Sequence, residues 1–291
     1  MTFQIGIIFA LIAMLCWGFG DFLIQKSTRK FGNLETLFFI SLFGSIVLIP
    51  FIYKDINKIF SFQNNIFFIL LLASIALLFA SLLEFEALKR GKLAVVEPVW
   101  SLEILVSFLL AFFLLKESLK ISQIFFIVSL VMGLFLVSLK SYHLSKKVWF
   151  EKGVFVAIGS AIFMGSANFF VGLGSRHSNA LIMTWFYSIF FTLVCFLYLF
   201  YNGRINKLFK EFKSSKSFLF NMCILDNAAW IAFALAMTFA PIAIAVALSE
   251  SYIVIAVFLG MYLNKELIRN HQKLGIILAI ISAITLAYIT G

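Results

Sequence analysis

The sequence predicts an all-α integral membrane protein with ten transmembrane helices, arranged as two inverted five-helix repeats. The 291-residue chain is 63% hydrophobic and only 12% charged, which lies far outside the composition of a water-soluble domain. Its apolar residues fall into runs of about 20, the length that crosses a bilayer as a helix. Because the bilayer interior offers no water to unpaired backbone groups, such runs are expected to be helical.

Five predicted spans precede a polar, basic segment, and five follow it. They lie near residues 5–25, 35–53, 66–88, 93–115, 121–139, 153–173, 179–201, 218–239, 242–263 and 273–290. We therefore predict a first repeat over 1–140, a basic linker over 141–152 and a second repeat over 153–291.

The two halves match in polar as well as apolar residues. A shift of 147 residues places Arg29 on Arg176, and a shift of 149 places Gln123 on Gln272. Shared hydrophobicity alone would not align charged and amide side chains, so the matches indicate an internal duplication. With five spans in each copy, the second copy enters the bilayer upside down relative to the first. This arrangement is common in carriers that open alternately to the two sides of a membrane.

The net charge of +10 does not indicate a nucleic-acid-binding protein, because the lysines and arginines lie between apolar runs and not on one basic face. Lipid phosphates are the expected partners. Most of the 23 lysines and arginines fall in the loops after odd-numbered spans. The positive-inside rule then places those loops in the cytoplasm and both termini outside a plasma or inner membrane.

Short motifs mark both halves, and those of the fourth span have counterparts in the ninth. They are Cys16-Trp17-Gly18, the run from Ala94 to Pro98, Leu115-Lys116-Glu117, Ala243-Ile244-Ala245 and Asn264-Lys265-Glu266. In these motifs and its five-plus-five layout the chain resembles the drug/metabolite transporter superfamily, specifically proteins with two EamA modules. The resemblance implies ten helices and transport of small metabolites, with export of amino acids or related solutes the commonest activity.

The chain departs from the usual pattern of that family in three places. Family members usually carry glycine before the glutamate of the fourth and ninth spans, where this chain has Lys116 and Lys265. The second copy has Ala247 where a proline would match Pro98. These departures leave the expected fold unchanged and leave the subfamily open.

Apart from Glu35, the first residue of the second predicted span, seven of the 13 acids lie inside predicted spans, namely Asp21, Glu84, Glu86, Glu97, Glu103, Asp226 and Glu250. An acid at the bilayer centre costs about 3 kcal/mol on insertion scales, and no lysine or arginine lies deep in any predicted span. Glu84 and Glu86 end the third span close to Lys89, Arg90 and Lys92, so interfacial ion pairs would explain them. Glu97 begins the fourth span, where it is either a helix cap or part of a binding site.

The remaining acids are candidates for binding a substrate or a proton. Trp17 and Asp21 are four residues apart on the first span, as are Asp226 and Trp230 on the eighth, so each pair presents an indole beside a carboxylate. That chemistry suits an organic ammonium group. The predicted site residues are Trp17, Asp21, Glu97, Glu103, Asn168, Asp226, Trp230 and Glu250.

No enzyme, metal or cofactor motif is found, because the three histidines lie in or beside loops and the three cysteines lack metal-ligand spacing. The sequence therefore favours a secondary active transporter of small polar metabolites that works by alternating access, with a proton as the simplest coupling ion. The alternative is a carrier for organic cations such as quaternary ammonium or polyamine-like solutes. A membrane enzyme or assembly factor would need a polar catalytic cluster in a loop. Substrate, direction and oligomeric state stay open.

Overall fold

The computed structural model describes residues 2–56, 66–90, 99–139, 152–255 and 269–290, and all regular structure in these ranges is helical. The helices are α1 (Thr2–Lys30), α2 (Asn33–Val47), α3 (Ile49–Ile52), α4 (Ile66–Arg90), α5 (Leu102–Leu115), α6 (Ile121–Ser138), α7 (Lys152–His177), α8 (Ala180–Tyr201), α9 (Ile205–Ser214), α10 (Lys216–Phe239), α11 (Ile242–Ser249) and α12 (Asn270–Thr290).

Six of these helices are long and apolar enough to cross a membrane, namely α1, α4, α7, α8, α10 and α12. Four further apolar helices, which begin at Asn33, Leu102, Ile121 and Ile242, are shorter than a span in the described ranges. All ten stand where the sequence predicts spans. The chain is thus a multi-pass membrane protein, and the number of crossings stays a prediction. Large apolar side chains on the outer surface, such as Phe113 at 68% exposure, face the lipid.

Three predicted spans are interrupted. The second span breaks at Leu48 and restarts as α3, whose first turn contains Pro50; proline lacks the N–H that would continue the helix. The chain also makes a turn at Ser101, just before α5, and another over 250–251, after α11. Pro241 lies just before α11, at a helix start where proline is tolerated. The break in the ninth span comes instead at Glu250, nine residues after Pro241.

The helices pack in pairs that respect the repeat. α1 packs on α10 and α4 packs on α7, and the repeat exchanges these two pairs. α2 packs on its own equivalent α8, and α6 on its equivalent α12. Thr192 of α8 donates to Ser41, and Trp185, earlier in α8, donates to the carbonyl oxygen of Ser45. Equivalent helices therefore run antiparallel, as two copies of opposite orientation require.

A glycine from each copy permits the close contact between α6 and α12. A Cβ on Gly133 of α6 would lie 2.7 Å from the backbone nitrogen of Ala279, and one on Gly275 of α12 would lie 2.7 Å from the carbonyl oxygen of Gly133. The backbones touch directly, as small residues allow in membrane helix packing.

The matched glutamines Gln123 and Gln272 play the same part in the two copies. The Gln123 side chain accepts a hydrogen bond from the backbone N–H of Lys120, and Gln272 accepts one from that of Arg269. Each glutamine thereby satisfies a backbone donor at the start of its helix.

Arg176 connects the ends of several helices through an ion pair and hydrogen bonds. It pairs with Glu117 at 2.6 Å and donates to the carbonyl oxygens of Met237 and Ala240, both at 2.8 Å. Glu117 in turn accepts from the backbone N–H of Ile242 at 3.1 Å. This end of the bundle, with both described chain ends, is called the terminal end below.

The opposite end, called the basic end, carries α9, which the sequence analysis counted as loop. Arg204, just before α9, pairs with Glu35 at 2.5 Å, and Lys30 donates to Ser215 at 2.8 Å. The missed signal was the alternation of Ile205, Leu208 and Phe212 with lysines, which is an amphipathic pattern too short to span a membrane.

Candidate functional site

Aromatic rings from both copies meet in the middle of the bundle. Trp17 of α1 lies 5.2 Å from Trp230 and 5.1 Å from Phe233, both of α10, measured between ring centroids. Tyr187 of α8 lies 5.7 Å from Trp230, and Tyr252 lies 6.3 Å from Trp17. Trp17 and Trp230 meet edge to face, with 84° between their planes. We call these five rings the aromatic cluster.

Four carboxyl groups lie in the same interior region. The side chains of Glu103 and Glu250 are hydrogen bonded to each other. The carboxyl group of Glu84 lies within electrostatic range of those of Glu250 and Asp226. Glu103, Asp226 and Glu250 are each less than 9% exposed. We call these four acids the carboxyl cluster.

The two clusters adjoin each other. Asp226 precedes Trp230 by one helical turn, and its carboxyl group is within electrostatic range of the Tyr187 hydroxyl. Glu250 lies two residues from Tyr252, at the break after α11. Among the described residues no lysine or arginine is buried. The described part of this region therefore carries carboxyl groups and aromatic faces without a basic side chain.

Two ionised carboxylates are both hydrogen-bond acceptors and neither can donate, so a pair of carboxyl groups that hydrogen bond to each other can carry a shared proton.

The structure brings together five of the eight predicted site residues: Trp17, Glu103, Asp226, Trp230 and Glu250. Asn168 of α7 is 1% exposed, and its amide nitrogen has no partner among the described atoms. Asn168 lies one turn beyond Gly165, at which a Cβ would lie 2.7 Å from the carbonyl oxygen of Glu103. The side chain of Asp21 and the whole of Glu97 lie outside the described residues, so their predicted roles stay predictions.

Glu84 and Tyr187 belong to this region although the sequence analysis did not include them. Glu84 was expected to pair at the membrane interface, and that pairing stays a prediction; its carboxyl group lies within electrostatic range of those of Glu250 and Asp226. The expected partners Lys89, Arg90 and Lys92 have no described side chains. The repeat could have identified Glu84 as a site residue, because the 149 shift places Glu84 on Phe233, a member of the aromatic cluster.

The repeat relates the two clusters at two positions. The 149 shift pairs Glu84 with Phe233 and Glu103 with Tyr252. At both positions the first copy supplies an acid and the second supplies an aromatic ring. The scaffold is duplicated, whereas the chemistry at its centre is not.

Comparisons with known proteins agree with this architecture. The family model described as EamA-like transporter family matches residues 4–139 and again 151–288. A solved crystal structure superposes with a TM-score of 0.76 over 98% of this chain and 96% of that chain, at 13% sequence identity. That likeness concerns the fold alone. No protein with a curated description matches the chain.

The two family matches cover nearly all of the sequence and divide it at the segment between the two copies. They agree with the apolar helices, the antiparallel pairing of equivalent helices and the interior polar region, all of which suit a membrane transporter of small solutes. The chain belongs to the EamA-like transporter family.

Proposed function

We propose that the solute this transporter carries is a small organic cation. The observation that supports this proposal best is the meeting of the carboxyl cluster with Trp17 and Trp230 in the bundle interior. Buried carboxylates attract a positive charge, and indole faces add a cation-π attraction of about 0.5–2 kcal/mol. An amino acid would bring an ammonium group that suits these residues together with a carboxylate that they repel.

A proton is the natural counter-ion for this cation. The side chains of Glu103 and Glu250 interact with each other in the interior, and we propose that this pair carries the coupling proton. A cation that binds beside the pair favours its ionised form, so the proton leaves as the cation arrives. Exchange of one charge for another across the membrane would then draw on a pH gradient. We propose proton-coupled exchange as the driving reaction.

The interrupted helices support alternating access. The turn at Ser101 and the turn at Glu250 occupy the same position in the two copies, since the 149 shift places one residue on the other. Helices broken at matching positions frequently form the substrate site of inverted-repeat carriers. We propose that the two copies rock about this region.

We further propose that the basic end faces the cytoplasm. The exposed lysines and arginines of α9 and of the last turns of α1 lie there, and the positive-inside rule places such residues in the cytoplasm. A reporter fused to either terminus, active on one side only, tests this orientation. Reporter activity on the cytoplasmic side would contradict it.

Counterflow into proteoliposomes tests the substrate class. Two matched pairs isolate charge: choline against its neutral isostere 3,3-dimethylbutanol, and leucine methyl ester, a cation, against zwitterionic leucine. We expect counterflow of choline and the ester, well above that of their partners, and stimulation by an opposing pH gradient. Equal movement of cation and neutral isostere, or preference for leucine over its ester, would contradict the proposal.

Substitutions of Trp230 distinguish the cation-π contribution of its indole ring to cation binding from the contribution of its bulk to packing. In Trp230→Phe a ring remains over the site but with a weaker quadrupole, so the affinity for choline should fall by roughly 2- to 10-fold. Trp230→Leu removes the ring and should lose more. If the Leu variant folds and binds choline as tightly as the Phe variant, the indole face does not contact the cation.

A further inference from the structure

The short helix α9, between α8 and α10, has two chemically opposite faces. At 100° per residue, Ile205, Leu208 and Phe212 share one face, while Lys207, Lys210 and Lys213 share the other. Ten residues are too few to cross a bilayer. A separation of this kind is typical of helices that lie in the plane of the lipid–water interface.

The apolar face of α9 is held against the bundle. Leu208 is 4% exposed, and the ring of Phe212 stacks on that of Phe39 with centroids 6.3 Å apart. The ion pair between Arg204 and Glu35 fixes the start of the helix. These contacts leave the lysine face pointing away from the helix bundle.

The lysine face continues onto neighbouring helices. Lys216 at the start of α10 and Lys30 at the end of α1 are exposed, and Lys30 is joined to this surface by its hydrogen bond to Ser215. Two acids near this surface already have partners, since Glu35 pairs with Arg204 just before α9, and Glu211 of α9 pairs with Lys207. The surface therefore carries a local excess of positive charge.

Exposed aromatic residues mark the depth of this surface. Phe200 and Tyr201, at the end of α8, are 66% and 91% exposed just before the chain turns into α9. Tyrosine side chains concentrate at the level of lipid headgroups. The exposed Tyr201 next to α9 is therefore consistent with a position of the α9 lysines near the phosphates.

We propose that Lys210, Lys213 and Lys216 of this surface, together with Lys30, bind the headgroups of anionic phospholipids. The occupant is chosen on charge complementarity and depth: a phosphate at this level meets several ammonium groups, each of which donates three hydrogen bonds. The binding would hold α9 in place and, through Lys30 and Ser215, would clamp α1 to α10. That helix pair carries Trp17 and Trp230.

The test uses the full chain in detergent, titrated with phosphatidylglycerol or phosphatidylcholine of the same acyl chains. Bound lipid is counted by native mass spectrometry, and the unfolding temperature is measured in parallel. We expect phosphatidylglycerol to bind more tightly and to raise the unfolding temperature more. Raised salt should weaken the phosphatidylglycerol effect and leave that of phosphatidylcholine unchanged.

Two variants identify the site. Lys210→Gln with Lys213→Gln should lower the affinity for phosphatidylglycerol at least fivefold, as expected when lysines near an anionic surface are lost. The matched control, Lys54→Gln with Lys116→Gln, removes the same charge at the terminal end and should leave the affinity unchanged. Lys210→Arg with Lys213→Arg keeps the charge and should keep the binding.

Equal binding of the two lipids, or equal loss in the α9 variant and its control, would overturn the proposal. Neither readout involves transport. The result is therefore independent of the substrate class proposed above.

Discussion

Glu103 and Glu250 are hydrogen bonded to each other across the boundary between the two copies of the repeat. They are not repeat equivalents, because the 149 shift places Glu103 on Tyr252 and Ser101 on Glu250. Each copy thus contributes one member of the carboxyl pair from a different position on the same stretch of its fold. A movement of either copy would change the distance between the two carboxyl groups.

Replacement of Glu103 by glutamine should uncouple transport from pH. The amide of Glu103→Gln can still donate to the Glu250 carboxylate, so the contact survives while the exchangeable proton is lost. We expect counterflow of choline without a pH gradient to persist and its stimulation by a gradient to fall at least tenfold. Glu103→Ala, which removes the contact as well, serves as a comparison. A Gln variant that is still driven by the gradient would place the coupling proton elsewhere.

Glu84 should contribute to cation binding although it lies near the end of its helix. In Glu84→Gln one of the acids facing Glu250 and Asp226 becomes neutral, which weakens the attraction for a cation. We expect the dissociation constant for choline to rise about tenfold, equivalent to about 1.4 kcal/mol. The control is Glu86→Gln, two residues along the same helix. Equal effects of the two substitutions on choline affinity would show that Glu84 acts only through surface charge.

The contact between α6 and α12 should not tolerate an added methyl group. In Gly133→Ala the new Cβ would meet backbone atoms of the facing helix at 2.7 to 3.0 Å, and backbone cannot move aside cheaply. Overpacking of this kind costs about 1–3 kcal/mol, which thermal unfolding would detect. Gly159→Ala is the control, because its Cβ would meet only a Leu83 methyl group at 3.7 Å. Similar unfolding temperatures for both variants would contradict this account of the contact.

Lys116 should gain stability when replaced by glycine. It ends α5 in the left-handed conformation, with φ 53°, where side chains with a Cβ are strained. Lys116→Gly should stabilise the folded state by about 1 kcal/mol. Lys120→Gly, at φ −65°, offers no such gain. A drop in unfolding temperature for Lys116→Gly would mean that the lysine side chain outweighs the strain.

Glu211 of α9 should make stability depend on pH. Burial raises the pKa of this carboxyl group above its ordinary 4.5, and repulsion from Glu35 adds to the rise, while Lys207 and Arg204 oppose it. The folded state therefore holds the proton more tightly than the unfolded state. This contribution to stability is complete below pH 4.5 and is lost as pH rises through the raised pKa.

The difference between wild type and Glu211→Gln isolates this contribution. Unfolding temperatures measured from pH 4 to pH 8 should show the wild type losing stability relative to the glutamine variant as pH rises. Glu211→Asp keeps a titrating group and should keep the slope. A difference that runs in the opposite direction would mean that the ion pair with Lys207 dominates.

The sequence by itself determines a large part of this architecture. Long apolar runs locate helices because lipid cannot satisfy backbone groups, and charged or amide matches such as Gln123 with Gln272 exposed the duplication. The four-residue spacing of Trp17 with Asp21 and of Asp226 with Trp230 predicted a cation site, because residues four apart share a helix face. These are local rules, and a one-dimensional pattern is enough to apply them.

Only the tertiary structure decided which helix faces meet. The sequence gives no distance between Trp17 and Trp230, between Glu103 and Glu250, or from Glu84 to Asp226, since each contact joins helices distant along the chain. The length of the apolar runs also did not reveal α9, because its amphipathic pattern is short. It did not reveal the break at Glu250 either. The physical reason is that hydrophobicity inserts every span alike, whereas close packing between particular faces selects which polar groups share one interior.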